Sequence, residues 1–178
     1  MKNIVIIGGT KGIGKAIVSE VVDNNNVICL SRNQTDFSHD NYTFHNFDAL
    51  VDDYPDFESV DCLIYCPGSI NLKPISTLSL DDFRNDFELN VIGAVRAIKK
   101  YLNLLKKSGS ASILLFSTVA TKLGMPYHAS VSVAKSGIDG LVKTLGSELA
   151  PKVRINAIAP TITNTELCLL YTSDAADD

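Results

Sequence analysis

No apolar stretch in this 178-residue sequence approaches the length of a bilayer span, so no membrane partner is expected. No signal peptide is expected either, because the apolar start is short and broken by glycines; the expected compartment is the reducing cytoplasm. Cysteine is scarce. Cys29, Cys62, Cys66 and Cys168 are scattered, and Cys62 and Cys66 lack the second Cys or His pair that a metal site needs, so buried thiols and no metal are expected. An excess of either charge is absent too: 16 Lys and Arg face 20 Asp and Glu, and three of those acids fall in the last eleven residues. The remainder is close to neutral and points to no nucleic acid or other polyionic partner. No repeat or low-complexity linker divides the chain, and its length supports one core rather than two.

The last eleven residues, 168–178, have no amphipathic period and no relation to the pattern before them. They resemble the translated adapter that transposase-based library preparation joins to DNA. The natural sequence is therefore expected to end near Leu167, with one domain over 1–167 and an artefact over 168–178. Sequencing the source gene across codon 167 tests this.

What the sequence does carry begins with Ile4, Val5, Ile6 and Ile7, an apolar run that stops at Gly8-Gly9-Thr10-Lys11-Gly12-Ile13-Gly14 and turns helix-periodic. Strand, glycine turn and helix start form the context in which unpaired N–H groups and a partial positive charge cradle a dinucleotide pyrophosphate. Positions 13, 16, 17 and 21 make one helical stripe, and 27–30 reads as the next strand. The polar stretch 31–41 leaves only a loop or a single turn for the second crossover. Strands are expected at 42–47, 60–66, 113–116 and 153–159. One long helix is expected from Ser79, capped with Asp82 and striped at 83, 87, 91, 94, 95, 98, 102 and 105; another carries 134, 138, 141, 142, 145 and 149 and ends before Pro151. Alternating strands and helices imply an α/β fold. The expected architecture is a Rossmann-like doubly wound parallel sheet with helices on both faces and the ligand outside the carboxyl ends of the strands.

Glycines spaced as Gly8-x-x-x-Gly12-x-Gly14 resemble the short-chain dehydrogenase/reductase family, and the remaining landmarks follow in order: Asp48 after the third strand, Gly68 after Leu63-Ile64-Tyr65-Cys66-Pro67, Asn90 in the first long helix, Lys135 at the start of the second, and Arg154 to Pro160 beyond it. The resemblance spans residues 1–167. It implies that six strands are present and that the seventh strand and the substrate loop lie beyond Leu167. It also implies that Gly8, Thr10, Lys11, Gly12, Ile13 and Gly14 hold the phosphates, that Asp48 contacts the adenine, and that Gly68, Lys135, Pro160 and Thr165 line the nicotinamide end. Asn90 orders a water and the helix backbone in the family; the plainer reading makes it a buried helix-kink residue.

The family's proton-transferring Tyr, four residues before Lys135, is replaced here by Val131, and its Ser, thirteen residues before that position, by Thr118. Thr118 keeps a hydroxyl able to polarise a carbonyl, whereas Val131 transfers no proton. Tyr127 and His128 lie within one turn of Val131 and are the candidate replacement acids, provided that the helix begins that early; otherwise both belong to a loop over the sheet edge.

At the end of the second strand, where a carboxylate would bind the ribose of NAD, the chain has Ser31 and Arg32, with Lys11 nearby. Two cations and no acid favour the 2′-phosphate of NADP(H), with NAD(H) the alternative. The resemblance thus implies an oxidoreductase exchanging hydride with the carbonyl or alcohol of a small organic substrate, and a homodimer or homotetramer when full length. Val131 supports a different class of function, a catalytically weak NADP(H)-binding sensor or scaffold. A sugar epimerase of the extended type fits worse, because its glycine turn would need glycine at Lys15.

Overall fold

A computed structural model of the chain describes residues 1–168; of the expected adapter segment 168–178, all but Cys168 lies outside the described residues. Strands β1 (Asn3–Ile7), β2 (Asn26–Ser31), β3 (Tyr42–Asn46), β4 (Cys62–Tyr65), β5 (Ala111–Phe116) and β6 (Val153–Ile158) form one sheet in the order β3-β2-β1-β4-β5-β6. Every neighbouring pair is parallel. The strand order reverses beside β1, so the crossovers on its two sides depart in opposite directions and leave a crevice at the carboxyl ends of β1 and β4. The fold class expected from the sequence is the one observed.

Strand alternation explains why both faces of this sheet are covered. Val5 and Ile7 pack with Leu30, Leu63, Ile113 and Leu115 on one face, against Ala94, Ala97, Ile98, Tyr101 and Leu105 of α3 (Gly93–Lys107) and Ile138 of α5 (Ala129–Leu149). Ile4 and Ile6 point the other way and join Val18 and Val22 at and beyond α1 (Gly12–Val21), with Val27, Ile64 and Phe116. Each fully buried Ile or Leu contributes about 1.5–3 kcal/mol, so the apolar run that announces β1 is also the seam between the two half-cores.

The sequence predicts one uninterrupted helix from Ser79, and the structure corrects this. The capping box of Ser79 and Asp82 does open α2 (Leu80–Phe87), but residues Glu88–Ile92 form a π-turn before α3 continues. Two side chains take carbonyls that this turn displaces: Asn90 Nδ2 donates to Asp86 O at 2.7 Å, and the Tyr65 hydroxyl donates to Leu89 O at 2.7 Å. Gly93 makes room for Tyr65, since a Cβ there would lie 2.0 Å from its hydroxyl oxygen. Apolar periodicity is blind to an extra residue in a turn, which is why the stripe reads as continuous. A short α4 (Ala120–Leu123) between β5 and α5 carries too few residues to show a period.

Candidate active site

Two clefts open at the carboxyl ends of the strands and meet over the glycine turn. The larger, about 470 Å³, is lined by Gly8, Lys11–Gly14, Cys66–Ile70, Phe116–Val119, Met125, His128, Val131, Lys135, Pro160–Thr163 and Thr165–Cys168. The smaller, about 260 Å³, is lined by Thr10, Ser31, Arg32, Asp48 and their neighbours, and shares Gly8, Lys11, Pro67 and Gly68 with the first. Of the residues singled out from the sequence, Asn90 and Tyr127 line neither cleft; the others line one or both.

The turn between β1 and α1 is built for close approach. Gly8 has φ +77° and Gly12 φ +49°, conformations that favour glycine, and a Cβ on Gly14 would lie 2.1 Å from Gly8 O. Gly8 N–H donates to Leu30 O at 2.8 Å and Cys66 N–H to Ile7 O at 2.9 Å, fixing the bend on the strand ends. Lys11, at the N-cap of α1, makes no side-chain capping bond, so the first-turn N–H groups keep the orphan donors that suit an anion. At the far end of the smaller cleft Thr10 Oγ1 donates to Ser31 Oγ at 3.0 Å with both residues buried, which leaves exposed Arg32 as the charged group at the tip of β2. Lys11 also pairs with Glu166 at 3.1 Å, and Thr165 packs against Gly12, so the segment after β6 crosses the turn.

Lys135 is the buried cation of the larger cleft, 9% exposed, with Nζ donating to Phe116 O at 2.8 Å. Burial pushes its ammonium down to about 8, against the opposing pull of Cys66 and Asp86. Gly68 lets it reach this place: a Cβ on that residue would lie 3.3 Å from Lys135 Nζ and 3.2 Å from Asn90 Oδ1. Asn90 therefore stands behind the cleft floor rather than in its wall. Val131 is buried one helical turn before Lys135 on the same face of α5, in the wall of the cleft.

The two candidate acids separate. Helix α5 begins at Ala129, so the condition for placing Tyr127 on the Lys135 stripe is not met; Tyr127 is 59% exposed with φ +64°, outside both clefts. His128, the N-cap residue, lines the larger cleft. Its Nδ1 lies 2.6 Å from Pro126 O, and a carbonyl only accepts, so Nδ1 carries the hydrogen and Nε2 is the atom left to exchange a proton. Thr118, in the turn after β5, accepts from Ala120 N–H at 3.3 Å and keeps its own hydroxyl hydrogen for the cleft it lines.

Sequence reasoning missed Ser69 and Asp86. Ser69 lines the cleft beside Gly68 and donates to Asp86 Oδ1 at 2.5 Å, while Asn90 Nδ2 donates to Ser69 Oγ at 3.1 Å. An acid one turn before Asn90, beside the apolar stripe, was the available signal.

The sequence profile of the short chain dehydrogenase family matches residues 34–174. This chain belongs to that family of oxidoreductases. It is 26% identical to a 3alpha-hydroxysteroid dehydrogenase of Mediterraneibacter gnavus, over 93% of this chain and 75% of that protein. It is 28% identical to a 3-oxoacyl-[acyl-carrier-protein] reductase of Synechocystis, over 94% of this chain and 66% of that protein. The solved structure of ElxO with NADP bound superimposes with a TM-score of 0.85 at 26% identity, covering 99% of this chain and 80% of that one. Among the described residues, no helix is long and apolar enough to cross a membrane, and no group of His, Cys, Asp and Glu is placed to hold a metal ion.

Proposed function

We propose that the short-chain dehydrogenase chain binds NADP(H) across the two joined clefts and reduces a small carbonyl compound, or oxidises the corresponding alcohol. The observation that carries this reading is the continuity of the clefts over an uncapped helix start, with Lys135 Nζ buried at one end and Arg32 at the other. The residues present fit a dinucleotide: the glycine bend is too tight for side chains, and the cations at both ends suit its ribose hydroxyls and its phosphate. The relative solved with NADP bound supports the choice of nicotinamide cofactor.

When bound, that cofactor supplies or takes the hydride. Main-chain N–H groups from Gly12 to Gly14 hold the diphosphate, Thr10 and Ser31 shape the pocket beside Asp48 for the adenosine, and Arg32 with Lys11 reads the 2′-phosphate. Lys135 holds the nicotinamide ribose hydroxyls with the N–H groups not given to Phe116 O. Pro160 and Thr165 close the nicotinamide side. Thr118 donates a hydrogen bond to the substrate oxygen and so polarises the carbonyl. His128 exchanges the proton of that oxygen through Nε2, the task a Tyr at position 131 would otherwise perform. Asn90 steadies the π-turn behind Lys135. A dimer or tetramer through α2, α3 and α5 and an end of the natural sequence near Leu167 belong to the same proposal.

Calorimetric titration with NADPH and NADH tests the binding half; NADPH oxidation over a panel of carbonyl compounds tests the rest. His128→Ala should abolish turnover while Tyr127→Phe leaves it intact. Val131 in the cleft wall favours a second reading, a cofactor-binding sensor or scaffold with little turnover. Tight NADPH binding without oxidation of any panel member would select it, and absence of binding to either coenzyme would sink both.

A further inference from the structure

Asp86 is a carboxylate that nothing above has used. It sits on α2 at 3% exposure, and its Oδ2 has no hydrogen-bond partner among the described residues. Its other oxygen accepts from Ser69 Oγ at 2.5 Å, Ser69 accepts from Asn90 Nδ2 at 3.1 Å, and the same Nδ2 donates to the main-chain carbonyl of Asp86 at 2.7 Å. Asn90 Oδ1 is a second buried acceptor without a partner, and it converges with Lys135 Nζ on the face of Gly68. One orphan acceptor, Asn90 Oδ1, thus lies beside the lysine, and the carboxylate carrying the other is joined to Asn90 through Ser69.

An unpaired acid in an apolar interior is costly, and so is an unpaired ammonium; each is tolerated when the other offsets its charge. Cys66 and Asp86 are the two ionisable groups whose charge bears on Lys135, one from the end of β4 and one from α2. Burial pushes the Cys66 thiol up to about 12, so it is neutral wherever Lys135 titrates. That leaves the Asp86 carboxylate as the group set against the lysine. Ser69 gives it a hydrogen bond, and Asn90 ties the serine to the π-turn, so that the carboxylate stays in place.

We propose that Asp86, held by Ser69 and Asn90, is a positioning residue: the buried counter-charge that keeps Lys135 protonated at the cleft floor. The arrangement links the π-turn to the active cation. Asn90 lies in that turn four residues after Asp86, so the two share one helix face, and Asn90 Nδ2 bonds both Ser69 Oγ and Asp86 O. The proposal concerns the free chain and does not depend on which coenzyme or substrate the clefts accept.

The test follows the titration of Lys135 in the unliganded chain, by NMR of protein labelled at lysine 13Cε, with the resonance assigned by its loss in Lys135→Arg. Asp86→Asn should move the Lys135 midpoint down by about half a pH unit or more, while Asp86→Glu restores much of it. Ser69→Ala should move it the same way but less, because the carboxylate then loses the donor that fixes its place. An unchanged midpoint in folded Asp86→Asn would show that Asp86 carries no charge to Lys135 and would overturn the proposal. If Asp86→Asn fails to fold, Ser69→Ala decides, and a midpoint at or above the wild-type value refutes it. NADPH titration of the wild-type chain reads the function proposed above separately, so neither failure can be mistaken for the other.

Discussion

Gly14→Ala is the sharpest perturbation of the nucleotide turn. Gly14 lies in the first turn of α1, where an exposed Gly→Ala change would ordinarily gain up to about 1 kcal/mol from helix propensity. Here the new Cβ would stand 2.1 Å from the main-chain oxygen of Gly8, a distance real Cβ atoms essentially never show below 3.0 Å. Either the helix start or the Gly8 carbonyl must therefore retreat by about 1 Å. That is an overpacking cost of about 1–3 kcal/mol, which set against the propensity gain leaves a net loss of up to about 2 kcal/mol, or a fall of up to roughly 8 °C in Tm. The same movement displaces the N–H groups that would grip a diphosphate, so NADPH affinity should fall by about ten-fold or more. Gly140→Ala is the control: it also sits inside a helix, α5, but its added Cβ meets nothing within 4 Å, and it should stabilise by about 0.5–1 kcal/mol. Urea denaturation and calorimetric NADPH titration of both variants decide. A Gly14→Ala protein as stable as the wild type, with unaltered NADPH binding, would refute the reading of this turn.

In the His128→Ala variant, restoring a phenol beside Lys135 with Val131→Tyr should raise NADPH-dependent carbonyl reduction by about 10²-fold, the usual worth of a placed general acid; no increase would mean that the cleft serves other chemistry. Arg32→Ala should lower affinity for NADPH by about ten-fold and leave NADH nearly untouched, measured as the ratio of the two Kd values. Affinity for either coenzyme should decline as pH rises through about 8, where Lys135 loses its proton, and the decline should vanish in Lys135→Met. The stability linkage of the same group has the opposite sense. Burial lowers its folded pKa below the ordinary 10.5, so between about 8 and 10.5 the unfolded chain binds more protons, and Lys135 raises stability with pH across that window.

The alternation of apolar runs with helical stripes made the doubly wound sheet legible, because the central strands are buried on two faces and each long helix on one. The glycine turn was legible for a similar reason: strand, bend and helix are contiguous, so a local pattern states a local geometry. Tyr127 shows where such reasoning stops. Spacing put it one turn before Val131, yet Gly124 at φ +65° and Tyr127 itself at φ +64° turn the backbone away, and the helix starts only at Ala129. Spacing measures side-chain direction only inside an element, and where the element begins depended on a loop whose sequence, Leu-Gly-Met-Pro-Tyr-His, carries no period.

The π-turn is the deeper case, because it decides which polar groups can meet. Asp86, Ser69 and Asn90 come from two segments that the sequence reads as a helix and a loop, and they converge through Asn90 Nδ2, which bonds both Ser69 Oγ and Asp86 O, while Tyr65 takes the carbonyl of Leu89 in the same turn. Gly93 permits the second of these bonds, since any side chain there would occupy the place of the Tyr65 hydroxyl. A glycine in mid-helix, costing about 1 kcal/mol of propensity against alanine, is thus exchanged for a turn that sets a buried acid against the cleft lysine. The reading makes Gly93→Ala a test of that coupling: with the added Cβ 2.0 Å from the tyrosine oxygen, the turn must rearrange, and the Lys135 titration should shift along with the stability. A variant that loses stability while its lysine titrates as before would separate the turn from the charge it is argued to hold.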